Sequence, residues 1–534
     1  MTKKTFKELT TEEKEYIVFM YYEEDISHNE KMDILSSKFG VTGRTIRRWW
    51  KEELKLTEKS TKLPKELTEV RDRILPKGTD IILFTAAQNK TAVNHNMLKS
   101  MKKYKDFIES NFGKKVEIVI SPTRYRNPTS LVEADKKKGE EWWVDEVKPY
   151  LYYNKIEFGD CLISADSRIS PTAKKPLTSY EVLAKDRHLI LPHPKVHFKT
   201  MPRFKGKPLR TMSTTGYLTR KNFSISKAGE TAVEHFTYGF SVLEKRKDGT
   251  CFIPRNVKVN QNGSFIDLIF EVNENEVKQI DYSEGFIWGD IHAANINQQV
   301  YDKTKELYSL FKPKKTVLHD LIDGESFNPH ERKDFFIQRR KIIEGKSDIK
   351  SEIEHSFDIV NDIKDLGTEV NVVISNHDIF LDRHINDMDW KKDLYNSPTY
   401  LELAHIFQTV DIREYGSLYG YLLKQRFDDV NYINYGESLD ICGYECGSHT
   451  DHGVNGARAS VNTFAKLNTK MIGAHSHSPI LNDGFSRVGV TCNIEQYYTR
   501  KGLSSWAYAH SVVHKNCKNQ LLVFTDDYQI SGLL

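Results

Sequence analysis

Cysteine is scarce. Six residues in 534, with no C-x-x-C pair, exclude a disulfide framework and a zinc knuckle. Cys442 and Cys446 are neighbours in sequence but poorly placed to bridge, so reduced thiols are expected. Long apolar runs are missing as well. No stretch nears the roughly 20 residues that span a bilayer, and MTKKTFKELTTEEKEY has no apolar signal core. The expectation is a soluble cytoplasmic chain with no membrane partner. Neither sign of charge dominates: 78 basic against 74 acidic side chains leave +4, so any argument about partners must come from how charge is distributed. There is no low-complexity tract and no internal repeat. What is present is core material, 39% hydrophobic residues with 27 Phe and 26 Tyr, which excludes a disordered chain.

At roughly 150 residues per domain the length allows three or four domains, and composition separates three. Residues 1–62 carry two short amphipathic helical stretches and a charged linker, KEELKLTEKSTKLPKE (51–66). Residues 63–278 mix strands and helices: DIILFTAA (80–87) and VEIVIS (116–121) read as buried strands around a helix over 92–110. Residues 279–534 are more regular. FIWGDI (286–291), TVLHDLI (316–322) and VNVVISN (370–376) read as strands alternating with helices, which predicts βαβ units and a mostly parallel sheet.

Two features point to a polyanion. In 28–53, small Ser36, Gly40 and apolar Ile46 have the spacing of a helix-turn-helix, with Val41, Ile46 and Trp49 or Trp50 inward and Arg44, Arg47 and Arg48 on the exposed face with Thr42 and Thr45. The first 60 residues carry twelve acids and twelve bases, so a protein-contacting helical hairpin is the competing reading. Between Asp186 and Glu230, 43 residues hold ten Lys/Arg and no acid. Lys199, Arg203, Lys205, Lys207 and Arg210 interleave there with Phe198, Phe204, Tyr217 and Phe223, the combination that neutralises phosphates and stacks bases. A surface paired with acids from elsewhere in the fold is the alternative.

Eleven of the nineteen histidines lie between residues 281 and 480, several at expected strand ends. Asp290-Ile291-His292 closes the first strand, and extended alternation would aim both side chains at one ion. His319-Asp320-Leu321-Ile322-Asp323-Gly324 closes the second, and Ser375-Asn376-His377-Asp378 the third. SHTDHG (448–453) and GAHSH (473–477) follow. One such histidine is usually a satisfied polar residue. Five segments in this order, at the carboxyl ends where open α/β sheets gather their chemistry, form a signal. The donors are nitrogen and oxygen with no thiolate, which suits Mn, Fe or Zn in a reactive site.

The set resembles the calcineurin-like metallophosphoesterase superfamily, with motifs D-x-H, G-D-x-x-D, G-N-H-D/E, H and G-H-x-H, over roughly residues 284–500. The resemblance implies a β-sandwich flanked by helices, here preceded by a mixed α/β domain and the helix-turn-helix. It implies Asp290, His292 and His477 around a first ion, and Asn376, His449 and His475 around a second. Asp320 would bridge the two, and His377 would act as acid or transition-state stabiliser. Two divalent ions, manganese first, are the implied cofactors. His319 and Ser375 stand where the family has glycine, Ala474 sits between Gly473 and His475, and His452 competes with His449 for the fourth motif. TAAQNKTAVNH (85–95), SPTRYRNPTS (121–130) and SKAGETAVEHFTYG (226–239) also resemble early DNA-degradation proteins of T-five-like tailed phages.

Two ions of this kind clamp phosphate oxygens and activate a water for in-line attack. The expected function is therefore a metal-dependent DNA phosphodiesterase, with chemistry similar to SbcD-type nucleases, acting on host DNA in an infected cytoplasm. A nucleotidase or phosphomonoesterase, and a DNA-binding regulator on a relic fold, are the alternatives. Oligomeric state is open.

Overall fold

The computed structural model describes residues 6–10, 13–14, 17, 28–49, 73–125, 143–464, 467, 469–482, 484–496 and 502–534. The expected linker over 51–66, Trp50 and residues 126–130 lie outside them. Helix His28–Phe39 stops at Gly40, whose φ of +64° suits a residue without Cβ, and helical backbone resumes over 43–49. Met32, Leu35, Phe39, Ile46 and Trp49 are buried together with Phe6, Leu9 and Ile17. The Trp49 ring packs against Phe39 and Phe6 at 5.8 and 6.1 Å. Arg44, Arg47 and Arg48 are exposed, because the apolar stripe claims the other side of this short helix.

The next unit is a βαβ. Strands Ile81–Gln88 and Val116–Thr123 pair in parallel around helix His95–Phe112, close to where apolar periodicity placed them. Asn94 caps the helix by accepting from the Met97 N–H at 3.0 Å, and Gly113 ends it at φ +63°. Gly239–Glu244 and Arg255–Lys258 extend this sheet to four strands.

The sheet that positions the histidines has six strands. Their order is Asn431–Ile433, Glu369–Val373, Pro313–Leu318, Ser283–Ile287, Ala509–His514, Asn519–Val523, the first four mutually parallel and each of the last two antiparallel to the strand before it. Alternation gives it two apolar faces. Phe286, Trp288 and Leu318 share a core with Val300 and Phe311 of helix Gln298–Phe311 and with Ile353 and Val360 of helix Ile349–Lys364. Ile287, Val317 and Val373 face the other way, onto Ile441, Tyr444, Ile472 and Ala474 of a second sheet.

That second sheet has ten strands and runs from Asp440–Ile441 through Lys470–Gly473 and Ile480–Asn482 to Phe198–Thr200, Thr211–Thr214 and Lys155–Phe158. Pairing of Ile480 with Lys199 and Leu481 with Phe198 carries it across the expected boundary at residue 278. The architecture is mixed α/β, and no described helix is long and apolar enough to cross a membrane.

The thiols differ from expectation. Cys442 and Cys517 form a disulfide, with Cα atoms 5.3 Å apart across 75 residues of sequence. The expectation of reduced thiols fails at this pair, because the turns at 442 and 517 meet only in the folded chain. The other four cysteines are free and buried.

His193, under the ten-stranded sheet, supplies a pH test of this core. Its Nδ1 accepts from the Lys195 N–H at 3.1 Å while Nε2 donates to the Ser170 carbonyl at 3.2 Å, so only the neutral ring fits. Burial pushes the imidazole down to about 3. The unfolded chain takes up this proton near pH 6.5 and the folded chain does not. Its contribution is therefore complete above about 6.5 and is lost as pH falls towards 3. His193→Gln removes that titration. The stability gap between wild type and variant is expected to narrow by about 1 kcal/mol from pH 7 to 5.5, read from urea midpoints. A gap that stays constant means the ring is protonated in the fold.

Candidate metal centre

Strand Ser283–Ile287 ends three residues before Asp290, and the chain then passes so close to its neighbours that Gly289 is required. A Cβ there would lie 2.8 Å from the Ala509 carbonyl oxygen and from Gly489 backbone. The Gly289 N–H donates to Nδ1 of buried His510 at 2.9 Å, and Nε2 of the same ring meets Thr304 Oγ1 at 2.9 Å, which donates onward to the Val300 carbonyl. That chain fixes the His510 tautomer and anchors the segment carrying Asp290.

Asp290 and His292 do converge, though not by strand alternation. His292 sits in the left-handed region at φ +48° and its N–H donates to the Asp320 carbonyl at 2.8 Å. Asp320, Thr450, His475 and His477 are left-handed too, at φ +44°, +66°, +77° and +60°. Such backbone costs about 1–3 kcal/mol per non-glycine residue and gathers at functional sites. Five cases around one point are a signal that residue identity alone does not carry.

Two groups of ligand atoms result, each within 4.8 Å of one another: Asp290, His292, Asp320 and His477, and Asp320, His449 and His475. Asp320 belongs to both. Its Oδ2 lies 3.0 Å from His449 Nε2 and 3.6 Å from His292 Nε2. Asp290 Oδ2 is 3.0 Å from His477 Nε2 and accepts from the His475 N–H at 3.0 Å. His292 Nε2 and His477 Nε2 face each other at 3.2 Å. His452 is outside both groups, half-exposed and hydrogen-bonded to Asp451 at 2.8 Å, so of the two histidines it is His449 that lies within reach of Asp320.

The electrostatics fit a cation. Burial alone would raise the Asp320 carboxyl, but the His449 and His377 charges hold it well below the usual range. Burial would lower His449, but Asp320 pushes it up to about 10. His292 likewise rises to about 9 against its burial, through Asp323 and then Asp320 and Asp290. His475 is pushed down to about 4 by burial and by the His449 charge. A divalent ion held by these groups would compete with protons on His292 and His449. Asp290 Oδ1, Asp320 Oδ1, Asn376 Oδ1 and His477 Nδ1 are buried without a hydrogen-bond partner. An unsatisfied buried polar atom costs about 1–3 kcal/mol, and Asp290 and Asp320, both in the first group, each leave one carboxylate oxygen that a cation would satisfy.

Four residues of the site were not singled out from sequence. Asp323 lies 3.3 Å from His292 Nδ1 and forms a third compact group with His292 and His377. The D-x-x-D spacing with Asp320 was the available clue. Asp378 accepts from the Ser375 N–H and hydroxyl at 3.2 Å each and from the Tyr432 hydroxyl at 2.7 Å, holding the turn that presents Asn376 and His377. His510 acts through Gly289, as above. The Trp506 ring packs on His477 at 4.0 Å between centroids. His377 itself donates from Nδ1 to the Asp323 carbonyl, and its ring contacts His292 and Phe380 at 4.8 and 4.7 Å.

The basic window does not form the continuous basic and aromatic groove expected of it. Lys199 pairs with Glu181 at 2.6 Å, Lys205 with Glu495 at 2.5 Å, Arg210 with Asp160 at 2.7 Å and Arg203 with Asp526 at 3.7 Å. Lys207 is exposed. Phe198, Tyr217 and Phe223 are buried, and Phe204 alone of the four aromatics is open, at 71%. A window free of acids in sequence meets acids in space, because its strands lie inside a sheet.

No family model matches the chain. Among curated proteins it is similar to "Protein A1" of Escherichia phage T5, 24% identical over 469 residues that span 83% of this chain and 81% of the relative. Among solved structures, Chaetomium thermophilum Vps29 aligns over 38% of this chain and 97% of its own at 12% identity, with a TM-score of 0.20 that is too low to carry a shared fold.

Proposed function

We propose that this chain is a metal-dependent phosphodiesterase that cleaves DNA, working in the cytoplasm of a phage-infected cell. The observation that carries the reading is the pair of buried His/Asp groups sharing Asp320, with Oδ1 of both Asp290 and Asp320 buried and unpartnered. Asp290, His292, Asp320 and His477 would hold one divalent ion, and Asp320, Asn376, His449 and His475 the other, with manganese the first choice. When bound, the two ions supply Lewis-acid stabilisation of phosphate oxygens and lower the pKa of a water at the site. The protein's own part is to fix this donor set on strained, buried backbone and to place His377. With Nδ1 committed to the Asp323 carbonyl, Nε2 is the nitrogen left to give a proton to the departing oxygen. Arg44, Arg47 and Arg48 on the 43–49 segment are the proposed duplex contacts, and likeness to a phage protein supports the setting.

The test is hydrolysis by the purified chain with manganese, on linear duplex, circular duplex, single strands and mononucleotides. Strand cleavage that chelation stops is expected. Turnover of mononucleotides alone would make the chain a nucleotidase, and DNA binding without cleavage under any divalent metal would make it a regulator. Asp378→Asn adds a positional check. It weakens the grip on the Ser375–His377 turn without touching the donors, so activity should fall roughly 10- to 100-fold with metal stoichiometry retained. Loss of both ions in that variant would place Asp378 in the donor set itself.

A further inference from the structure

Away from the metal groups, three sheets converge on one open cavity of about 1060 Å³. Lys258 reaches it from the end of strand Arg255–Lys258, Lys470 from the start of strand Lys470–Gly473, and Lys518 from the turn before strand Asn519–Val523. Lys195, Arg220 and Lys221, from the acid-free window, complete its basic lining. The window thus divides in two. Lys199, Arg203, Lys205 and Arg210 pair with carboxylates, while Lys195, Arg220 and Lys221 border the cavity, the Lys195 ammonium donating to the Lys174 carbonyl at 2.7 Å.

No carboxylate lies within ion-pair distance of Lys258, Lys470 or Lys518 among the described residues. Lys258 Nζ donates to Asn519 Oδ1, a neutral partner. Burial, and then the charges of Lys518 and Lys470, push Lys258 down to about 7. Glu234 is the one carboxylate in the described lining. The amino end of the 18-residue helix His95–Phe112 adds its dipole, with Asn94, His95 and Asn96 in the wall and no acid in its first turn.

We infer that this cavity binds the phosphodiester backbone of a single nucleic-acid strand, at a site separate from the metal centre. The volume lies at the upper end of the roughly 300–1,000 Å³ of small-ligand clefts, so the basic lining and the aromatic wall, not size, argue for a strand. Half-exposed Phe236 and Tyr238, edge to face at 4.9 Å, lie in the wall and offer the stacking surface that tolerates any base. Lys470 begins the strand Lys470–Gly473, and His475 follows two residues after its end, so one strand separates the cavity from the metal groups. A strand held here would be fed towards, or drawn from, the proposed metal centre. That direction of use rests on the function proposed above; the binding does not.

The experiment measures binding without hydrolysis. A fluorescent 15-nucleotide single strand is titrated by anisotropy in EDTA across a salt series, for wild type and for Lys258→Gln/Lys470→Gln/Lys518→Gln. Affinity should fall at least tenfold at 0.1 M salt. The slope of log K against log salt should lose about 2, at roughly 0.7 per lost single-strand phosphate contact. Glu234→Gln should tighten binding two- to threefold, an opposite sign that misfolding does not mimic. Should the triple variant melt early, Lys518→Gln alone should lower the slope by about 0.7. Wild-type affinity and slope in these lysine variants would overturn the site. So would competition by free nucleotide as strong as by the strand at equal phosphate, which would assign the cavity to a small ligand. Asp320→Ala should bind the strand as wild type does, so failure of the nuclease reading and failure of this site give different results.

Discussion

Asp320→Ala is expected to abolish both metal binding and hydrolysis. Asp320 is the one side chain in both donor groups, with Oδ2 at 3.0 Å from His449 and 3.6 Å from His292, and with Oδ1 buried and unpartnered. Removing any other donor weakens one group, whereas removing this one opens both. The lost charge stabilisation is several kcal/mol, or roughly 10³-fold in rate. Manganese retained after desalting should fall from two per chain to below one, and the rise in melting temperature that manganese gives wild type should vanish. Asp320→Asn separates charge from shape. It keeps an oxygen acceptor but drops the anion that holds the His449 proton up to about 10, so it should bind metal more weakly than wild type and better than the alanine variant. Two ions retained by Asp320→Ala, with undiminished cleavage, would remove the basis of the proposed function.

That these His and Asp side chains would cluster was readable before the fold, because strand ends constrain their order and a candidate metal site constrains residue type. Asp290, His292, Asp320, His449, His475 and His477 come together from segments as much as 187 positions apart, each placed by a periodicity change from apolar strand to polar turn. The way they come together was not readable. Extended alternation at Asp290 and His292 gave the right neighbours for the wrong reason, since left-handed backbone at His292 turns the ring inwards. No glycine stands at the five left-handed positions to announce them. Partnerships between distant surfaces were equally hidden. Arg203 meets Asp526, and Cys442 meets Cys517, only after a ten-stranded sheet and a six-stranded sheet stack. Composition windows measure charge along the chain, whereas pairing depends on charge in space. The same limit explains the cavity. Its lysines come from three sheets, so no window in sequence holds Lys258, Lys470 and Lys518 together.

His377→Ala should separate proton delivery from metal binding. The ring is fixed by three contacts, the Nδ1 hydrogen bond to the Asp323 carbonyl and the packing on His292 and Phe380, so Nε2 has a defined direction and needs no search. Positioned acids of this kind contribute about 10²- to 10⁴-fold. On DNA the leaving oxygen is a sugar alkoxide, which departs poorly without a proton, and the full loss should appear in kcat with KM nearly unchanged. On a nitrophenyl phosphodiester the leaving group is already a stable anion, and the loss should shrink to about tenfold or less. Manganese stoichiometry should stay at two per chain. His377→Asn can still donate to the Asp323 carbonyl but cannot deliver a proton, so it should be as slow on DNA as the alanine variant. An equal loss on both substrates would mean that His377 stabilises charge on the phosphorus oxygens instead of protonating the leaving group. Loss of an ion would mean something else: His292, Asp323 and His377 lie within ligand distance of one another, and the histidine would then be a donor.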